Sequence, residues 1–313
     1  MGSDNVLEAT VVPINGTVDT ANACNRPDLF YAIRGGGGGT YDTVTSVVIK
    51  AYPSPKTTTW SLLAVLLDPE METDWWHLMA EFSRELEGFK DGGVQGCCYF
   101  LCPPVVPSLA LGASFSLYDK PEATVFALSE NFRKRRGGLN STVEYPSYED
   151  VYDSFLEYYS GNVDIEDDPV GTNIVLGSWL LPAETFRDVE AVAGVLQEVG
   201  PALGPNKATG QMIIGNLIAN SENRDVETAL SPAWRDALAH VAKLSPVSGA
   251  YFNEMDAFEP DWQRAAFGKK YSRLRDIKDA YDRQGVLWCR GCEGSESCVG
   301  DEQGKFCRAN VEA

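Results

Sequence analysis

Five consecutive glycines, Gly35, Gly36, Gly37, Gly38 and Gly39, separate a short amphipathic stretch, Pro27 to Arg34, from an alternating apolar run, Val44 to Ala51. Residues without a Cβ let the backbone approach a ligand closely and reach conformations closed to other residues. A bare glycine run is equally compatible with a flexible linker. Its context favours a built loop, because Pro27 suits a first helical turn, Gly35 suits a helix C-terminal cap, and β-branched residues follow. No Lys-Ser or Lys-Thr comes after the glycines, and no acidic residue lies at the distance a dinucleotide fingerprint needs. The sequence therefore argues against both a nucleotide P-loop and a dinucleotide-binding Rossmann fingerprint as the basis of the run.

The chain has 313 residues, of which 44% are hydrophobic, enough for one large or two medium globular domains. Its 45 acidic and 26 basic residues give a formal charge of −19, which opposes nucleic acid and anionic membranes as partners. No apolar run reaches the roughly 18 residues of a membrane span.

Eight cysteines are distributed as Cys24 alone, Cys97, Cys98 and Cys102, and Cys289, Cys292, Cys298 and Cys307. The Cys289-x-x-Cys292 spacing could begin a zinc site, but the other gaps fit no standard knuckle, so no metal is expected and disulfides are favoured. Asn15-Gly16-Thr17 and Asn140-Ser141-Thr142 are glycosylation acceptor patterns, in keeping with an extracellular protein. Met1-Gly2-Ser3 runs directly into the first strand with no basic start or apolar core, so the chain as written carries no signal peptide.

Residues 1 to 52 read as strand, turn at Asn15-Gly16, strand, short helix, glycine loop and strand. A strand from Thr58 to Leu67 precedes a helix, Thr73 to Phe89, whose Trp75, Leu78, Met79, Phe82 and Leu86 recur at helical spacing and form a core stripe. Further strands are expected at Val94–Cys102, Gly112–Tyr118, Asn173–Leu181 and Gln211–Ile218, with helices at Pro121–Lys134 and Ala183–Val199. This order suits an antiparallel sheet covered on one face by helices. A strand at Ala250–Glu254 and a single helix from Trp262 to Tyr281 close the pattern. Arg133 to Arg136 is the densest basic patch and reads as a solvated helix end stopped by Gly137-Gly138. The two histidines are expected to be structural, His77 packed among its neighbours and His240 on a helix after Trp234-Arg235, and no nucleophile motif accompanies either.

Asp4 to Val12, then Thr20-Ala21-Asn22, Asp28 to Arg34 and the glycines with Thr40, resemble the second half of the FAD domain of berberine-bridge-like flavin oxidoreductases. Downstream, Tyr251-Phe252-Asn253-Glu254, Glu259 to Gln263, Phe267-Gly268, Tyr271, Arg273-Leu274, Ile277-Lys278, Tyr281-Asp282 and Gly285 resemble that family's C-terminal segment. The flavour is that of fungal secondary-metabolite enzymes. The resemblance implies an α+β fold in three parts. Residues 1–52 are the C-terminal part of a PCMH-type FAD-binding domain, 53–248 a substrate domain with a helix-covered antiparallel sheet, and 249–313 a segment returning to the FAD domain. The family carries an N-terminal half before the equivalent of Asp4, with the pyrophosphate loop and the His and Cys that tether the flavin. The expectation is therefore a truncated paralogue, or an incomplete gene model in which Met1 is an internal methionine.

A flavin oxidase must hold the isoalloxazine ring, place a C–H bond over it and supply a base. By resemblance, Gly35 to Gly39, Thr40 and Val44 would lie against FAD. Tyr251 and Asn253, two residues apart on one strand face, would line the flavin, and Tyr251 is the candidate base. A small molecule such as an alkaloid or polyketide intermediate would be the substrate, oxygen the electron acceptor, and the secretory pathway the setting. Three positions depart from the family pattern: Asp42 replaces a usual glycine, Lys270 replaces an Asn, and Ile213-Ile214 falls where plant relatives carry a base. Two rival readings follow, a flavin-free relative acting as a small-molecule binder or non-redox cyclase, and a disulfide-held extracellular binding module.

Overall fold

The computed structural model describes residues 1–103, 106–120, 143–144, 147–162, 177–200, 212–215, 225–242, 255, 259–300 and 306–308, with Thr124, Ala127, Glu130 and Lys134. The chain divides into two compact units, one of residues 1–52, 220–235 and 249–313 and one of residues 53–219 and 236–248. The expected middle span of 53–248 is thus interrupted, because 220–235 returns to the unit that holds both ends of the chain.

In the first unit, β1 (Val6–Val12) pairs antiparallel with β2 (Asp19–Asn22) on one side and β3 (Thr43–Ile49) on the other. The β1–β2 turn closes with Gly16 N–H donating to Pro13 O, and Gly16 supplies the positive φ that the turn needs. Pro27 opens α1 (Pro27–Ile33), and Leu29, Phe30, Tyr31 and Ala32 are buried. These residues join Ala9, Val11 and Ala21 of the sheet and Ala229, Phe267, Leu274 and Ile277 in one apolar core. Ala32 and Ala229, 197 positions apart in the sequence, therefore share a single interior with Phe267, Leu274 and Ile277, which is why the C-terminal segment belongs to this unit. The single helix expected over Trp262–Tyr281 is broken. Gly268, at φ +57°, ends α6 (Trp262–Phe267), and a short 3-10 turn precedes α7 (Tyr271–Tyr281). Trp262, Phe267 and Tyr271 interlock across the break, with ring centroids 5.5–6.3 Å apart.

In the second unit, β4 (Thr57–Leu66), α2 (Glu72–Asp91), β5 (Gln95–Leu101) and β6 (Ala110–Tyr118) come first. They are followed by β7 (Val143–Glu144), β8 (Ser147–Tyr152), α3 (Phe155–Asn162), β9 (Ser178–Pro182), α4 (Val189–Val199), β10 (Met212–Gly215) and β11 (Ala237–Ala242), the last entered from α5 (Ala233–Asp236), whose first three residues belong to the other unit. The antiparallel order is β7-β4-β6-β5-β10-β11-β9, with β8 also on β4. Alternate residues of β6 are buried, and the stripe of α2 is buried as its spacing predicts, with Trp60 and Phe115 stacked 5.4 Å apart in the core. The sequence expectations at Pro121–Lys134 lie mostly outside the described residues.

His240 lies on strand β11, not on a helix, and is buried; burial pulls its pKa down to about 4. The helix-prone Ala-Leu-Ala-His-Val-Ala run that follows α5 is extended because it finds strand partners on both sides in β9 and β10. His77 is only half-buried on α2, with its Nε2 3.3 Å from Glu190. No helix among the described residues is long and apolar enough to cross a membrane.

Candidate functional site

The glycine run is two structures in sequence. Its first half is closed against the chain: a Cβ on Gly35 would lie 2.5 Å from Leu230 N, and one on Gly36 2.7 Å from Ala32 O. Gly35, Gly37 and Gly39 all adopt φ above +100°, where L side chains are strained. Its second half is open, since a Cβ on Gly38 or Gly39 would meet nothing within 4 Å, and both residues are exposed. Among the described residues, no backbone hydrogen bond engages the N–H of Gly38 or Gly39. Exposed donors of this kind on a loop with fixed ends form a surface that a ligand can approach to backbone contact.

The closed half is held by the segment around Leu230. Ala229 N–H donates to Arg34 O at 3.1 Å, Arg34 Nη2 donates to Glu227 O at 2.7 Å, and Arg273 pairs with Glu227. Lys270 Nζ donates to Thr228 O at 2.6 Å and to Leu230 O at 2.8 Å. Burial, and then the neighbouring Arg235, pushes the Lys270 pKa down. The Lys270 that departs from the family pattern thus anchors the strip that closes over Gly35.

The far end is fixed by Lys278, 4% exposed, whose ammonium donates to Thr40 O at 2.5 Å, Asp282 Oδ2 at 2.7 Å and Leu287 O at 2.8 Å. All three ammonium protons are used. Asp282 also accepts from Val286 N and Leu287 N. Burial acts to raise its pKa, but these bonds, led by the one from Lys278, outweigh burial and hold it below the usual carboxylate range.

Beside this clamp lie two buried carboxyls. Asp42 is fully buried and neither of its oxygens has a hydrogen-bond partner among the described residues; burial alone lifts its pKa to about 6. The charge expected to intrude on a ligand is therefore turned into the protein and disfavoured there. Glu293, 1% exposed, lies near Tyr41, Thr40 and Lys278 without a bond of hydrogen-bonding geometry to either oxygen. Burial raises its pKa to about 7, against smaller opposing pulls from Tyr41 and Lys278. Burial, and then Glu293, raises the Tyr41 pKa in turn.

A raised carboxyl pKa has a definite linkage sign. The folded state holds the Glu293 proton more tightly than the unfolded chain, so this stability is full below about 4.5 and lost as pH rises to about 7. The difference corresponds to about 3 kcal/mol. Glu293→Gln is expected to flatten the fall in unfolding free energy between pH 5 and 8 by that amount, measured by urea denaturation at each pH. An unchanged slope in the variant would refute the assignment.

Of the residues expected at a cofactor, the structure brings Gly35 to Gly39 and Thr40 into one loop, with Val44 half-buried on β3 behind it. Tyr251 and Asn253 lie outside the described residues. Ile213 and Ile214 fall on β10, paired in register with Tyr99 and Cys98 of β5. Cys289 and Cys292 form a disulfide, and the described residues contain no cluster of metal-ligating side chains.

Residues 250–290 match the family model described as berberine and berberine-like. An uncharacterized FAD-linked oxidoreductase of Arthroderma benhamiae is 29% identical over 99% of this chain and 58% of its own length. The FAD-linked oxidoreductase apf9 of Gibberella fujikuroi is 28% identical over 99% of this chain and 59% of its own. The VAO-type flavoprotein MtVAO713 of Myceliophthora thermophila C1 superposes with a TM-score of 0.88 at 25% identity, covering 98% of this chain and 60% of that one. The chain is similar to berberine-like proteins over residues 250–290 and to VAO-type flavoproteins over nearly its whole length. Its mixed α+β fold is the one that the family resemblance implies. Berberine-like relatives extend well beyond it, since this chain spans 58–59% of the length of those two fungal oxidoreductases.

Proposed function

We propose that this chain forms part of an FAD-linked oxidoreductase of fungal secondary metabolism, and that it oxidises a small molecule of the alkaloid or polyketide kind with oxygen as acceptor. The observation that carries the reading is the glycine run, clamped by Lys270 and Arg34 at one end and by Lys278 at the other, with N–H groups at Gly38 and Gly39 between that no backbone hydrogen bond engages among the described residues. The residues fit the cofactor: the open backbone can donate to it, and the Asp42 carboxyl is buried inside the protein and not on the loop's open face. FAD, when bound, supplies the two-electron acceptor that side chains lack.

The chain's own contribution is to hold that loop rigid, and Tyr251 is the proposed proton acceptor. The exposed Asn15 turn, whose Asn15 Oδ1 accepts from Thr17 N and Oγ1, is the proposed glycan site of a secreted protein.

The test is to mix the purified chain with FAD, remove the excess and record the visible spectrum. Retained flavin absorption is expected, with retention reduced at least tenfold in Gly38→Val/Gly39→Val while far-UV circular dichroism is unchanged. Absence of retained flavin in the parent chain would sink the reading.

A further inference from the structure

Cys289 and Cys292 are bridged at the tip of a loop that the proposed function does not use, with Cα atoms 5.4 Å apart. We propose that this pair is a reversible redox site, a disulfide that low-molecular-weight thiols of the glutathione class open and close while the surrounding unit stays folded.

Four observations support it. The two sulfurs are unequal in access, with Cys289 half-exposed and Cys292 only 1% exposed, so an incoming thiolate has one sulfur to attack and one to displace. The bridge closes a very short loop, Cys289-Arg290-Gly291-Cys292, already turned by Gly291 at φ +72° and by Cys292 N–H donating to Cys289 O at 3.3 Å. A bridge across so few residues restricts the unfolded chain little, so it is poorly placed to act as a staple. Arg290 lies between the two cysteines, and a cation in a Cys-x-x-Cys motif favours the thiolate.

The loop is also held on both sides by bonds that owe nothing to sulfur. Before it, Val286 and Leu287 N–H donate to Asp282, and Leu287 O accepts from Lys278. After it, Gly294 N–H donates to Tyr271 Oη at 3.2 Å, and Arg275 donates to Glu296 and Ser297. Trp288 Nε1 donates to Ser295 O at 3.3 Å across its base. Breaking the bridge therefore frees a few residues between two anchored ends, the geometry of a local opening and not of global unfolding. Among those residues is Glu293, next to Cys292 and near Tyr41 and Thr40, so the opening is felt at the end of the glycine run.

The chemistry balances with two equivalents of thiol. A first thiolate attacks Cys289 Sγ, the Cys289–Cys292 bond breaks, and Cys292 leaves as a thiolate that takes a proton from water. A second thiolate attacks the external sulfur of the mixed disulfide, releasing Cys289 and forming the external disulfide. Two electrons and two protons pass to the cysteine pair.

The test uses the full chain under native conditions. Exposed free thiols are first blocked with N-ethylmaleimide, glutathione or dithiothreitol is added at neutral pH, new thiols are trapped with iodoacetamide, and the labelled peptides are identified by mass spectrometry. Both Cys289 and Cys292 are expected to label while the far-UV and near-UV circular dichroism persists, and oxidised glutathione is expected to restore the bridge. In Cys292→Ser, Cys289 is expected to form a mixed disulfide with oxidised glutathione, and in Cys289→Ser the buried Cys292 should label at least tenfold more slowly. A pair that labels only when the protein unfolds, or that labels before reductant and never closes with oxidised glutathione, would overturn the proposal. Equal labelling in the two single variants would overturn the assigned order of attack.

Discussion

Replacing Lys278 by alanine should destabilise the first unit by about 3–5 kcal/mol, the range for breaking a buried ion pair from one side. The side chains of Lys278 and Asp282 are 6% and 0% exposed, so neither charge can turn to bulk water when the other is removed. The substitution also strips a donor from Thr40 O and from Leu287 O, and an acceptor left unpaired in the interior carries its own desolvation cost. Asp282 retains the N–H groups of Val286 and Leu287, which places the expected loss toward the lower end of the range. Urea denaturation of the purified variant measures it. The double variant Lys278→Met/Asp282→Asn separates the charge from the hydrogen bonds, because the neutral side chain can still accept from the N–H group of Val286 or Leu287 and should recover part of the loss. A loss under about 1 kcal/mol in Lys278→Ala would show that the clamp is not buried in solution.

Much of this was legible in the sequence, and the illegible parts have identifiable causes. The first three strands, α1 and the Asn15-Gly16 turn followed from short-range signals: alternation, Pro27 at a helix start, and a glycine where a positive φ is needed. The stripe on α2 was legible because its buried faces repeat at helical spacing. Lys278 could have been found by the same rule. Leu274, Ile277 and Tyr281 define the inward face of α7, and Lys278 and Asp282 continue it, so a cation and an anion four residues apart occupy positions that should be apolar.

What could not be read was the destination of that pair, because Thr40 lies 238 residues from Lys278 and no local pattern encodes such a contact. His240 was misplaced for a related reason: the pairing of β11 with β9 and β10 decides its conformation, and the intrinsic preferences of Ala and Leu point the other way. Lys270 and Asp42 looked like losses relative to the family pattern. The structure shows one closing the strip over Gly35 and the other turned inward, compensations that need three dimensions to see.

The five glycines are expected to differ sharply in what they tolerate. Gly35→Ala should cost about 3 kcal/mol or more, and Gly38→Ala within about 0.5 kcal/mol of nothing. At Gly35 the backbone stands at φ +113°, and the new methyl would meet Leu230 N at 2.5 Å and Leu230 Cα at 2.6 Å. Those atoms are main chain, and they cannot retreat without stretching the bonds from Ala229 to Arg34 O and from Lys270 to Thr228 O and Leu230 O. Strain and collision therefore add, and the relief available is the loss of hydrogen bonds that hold the strip. At Gly38 the same methyl enters open space with no positive φ to oppose it. Thermal and urea denaturation of the two variants, purified side by side, gives the comparison. Equal and small costs would mean that the run is a linker and that the strip over Gly35 does not form. A large cost at Gly35 beside a negligible one at Gly38 would establish a loop rigid at its root and open at its tip, the arrangement on which the proposed flavin binding rests.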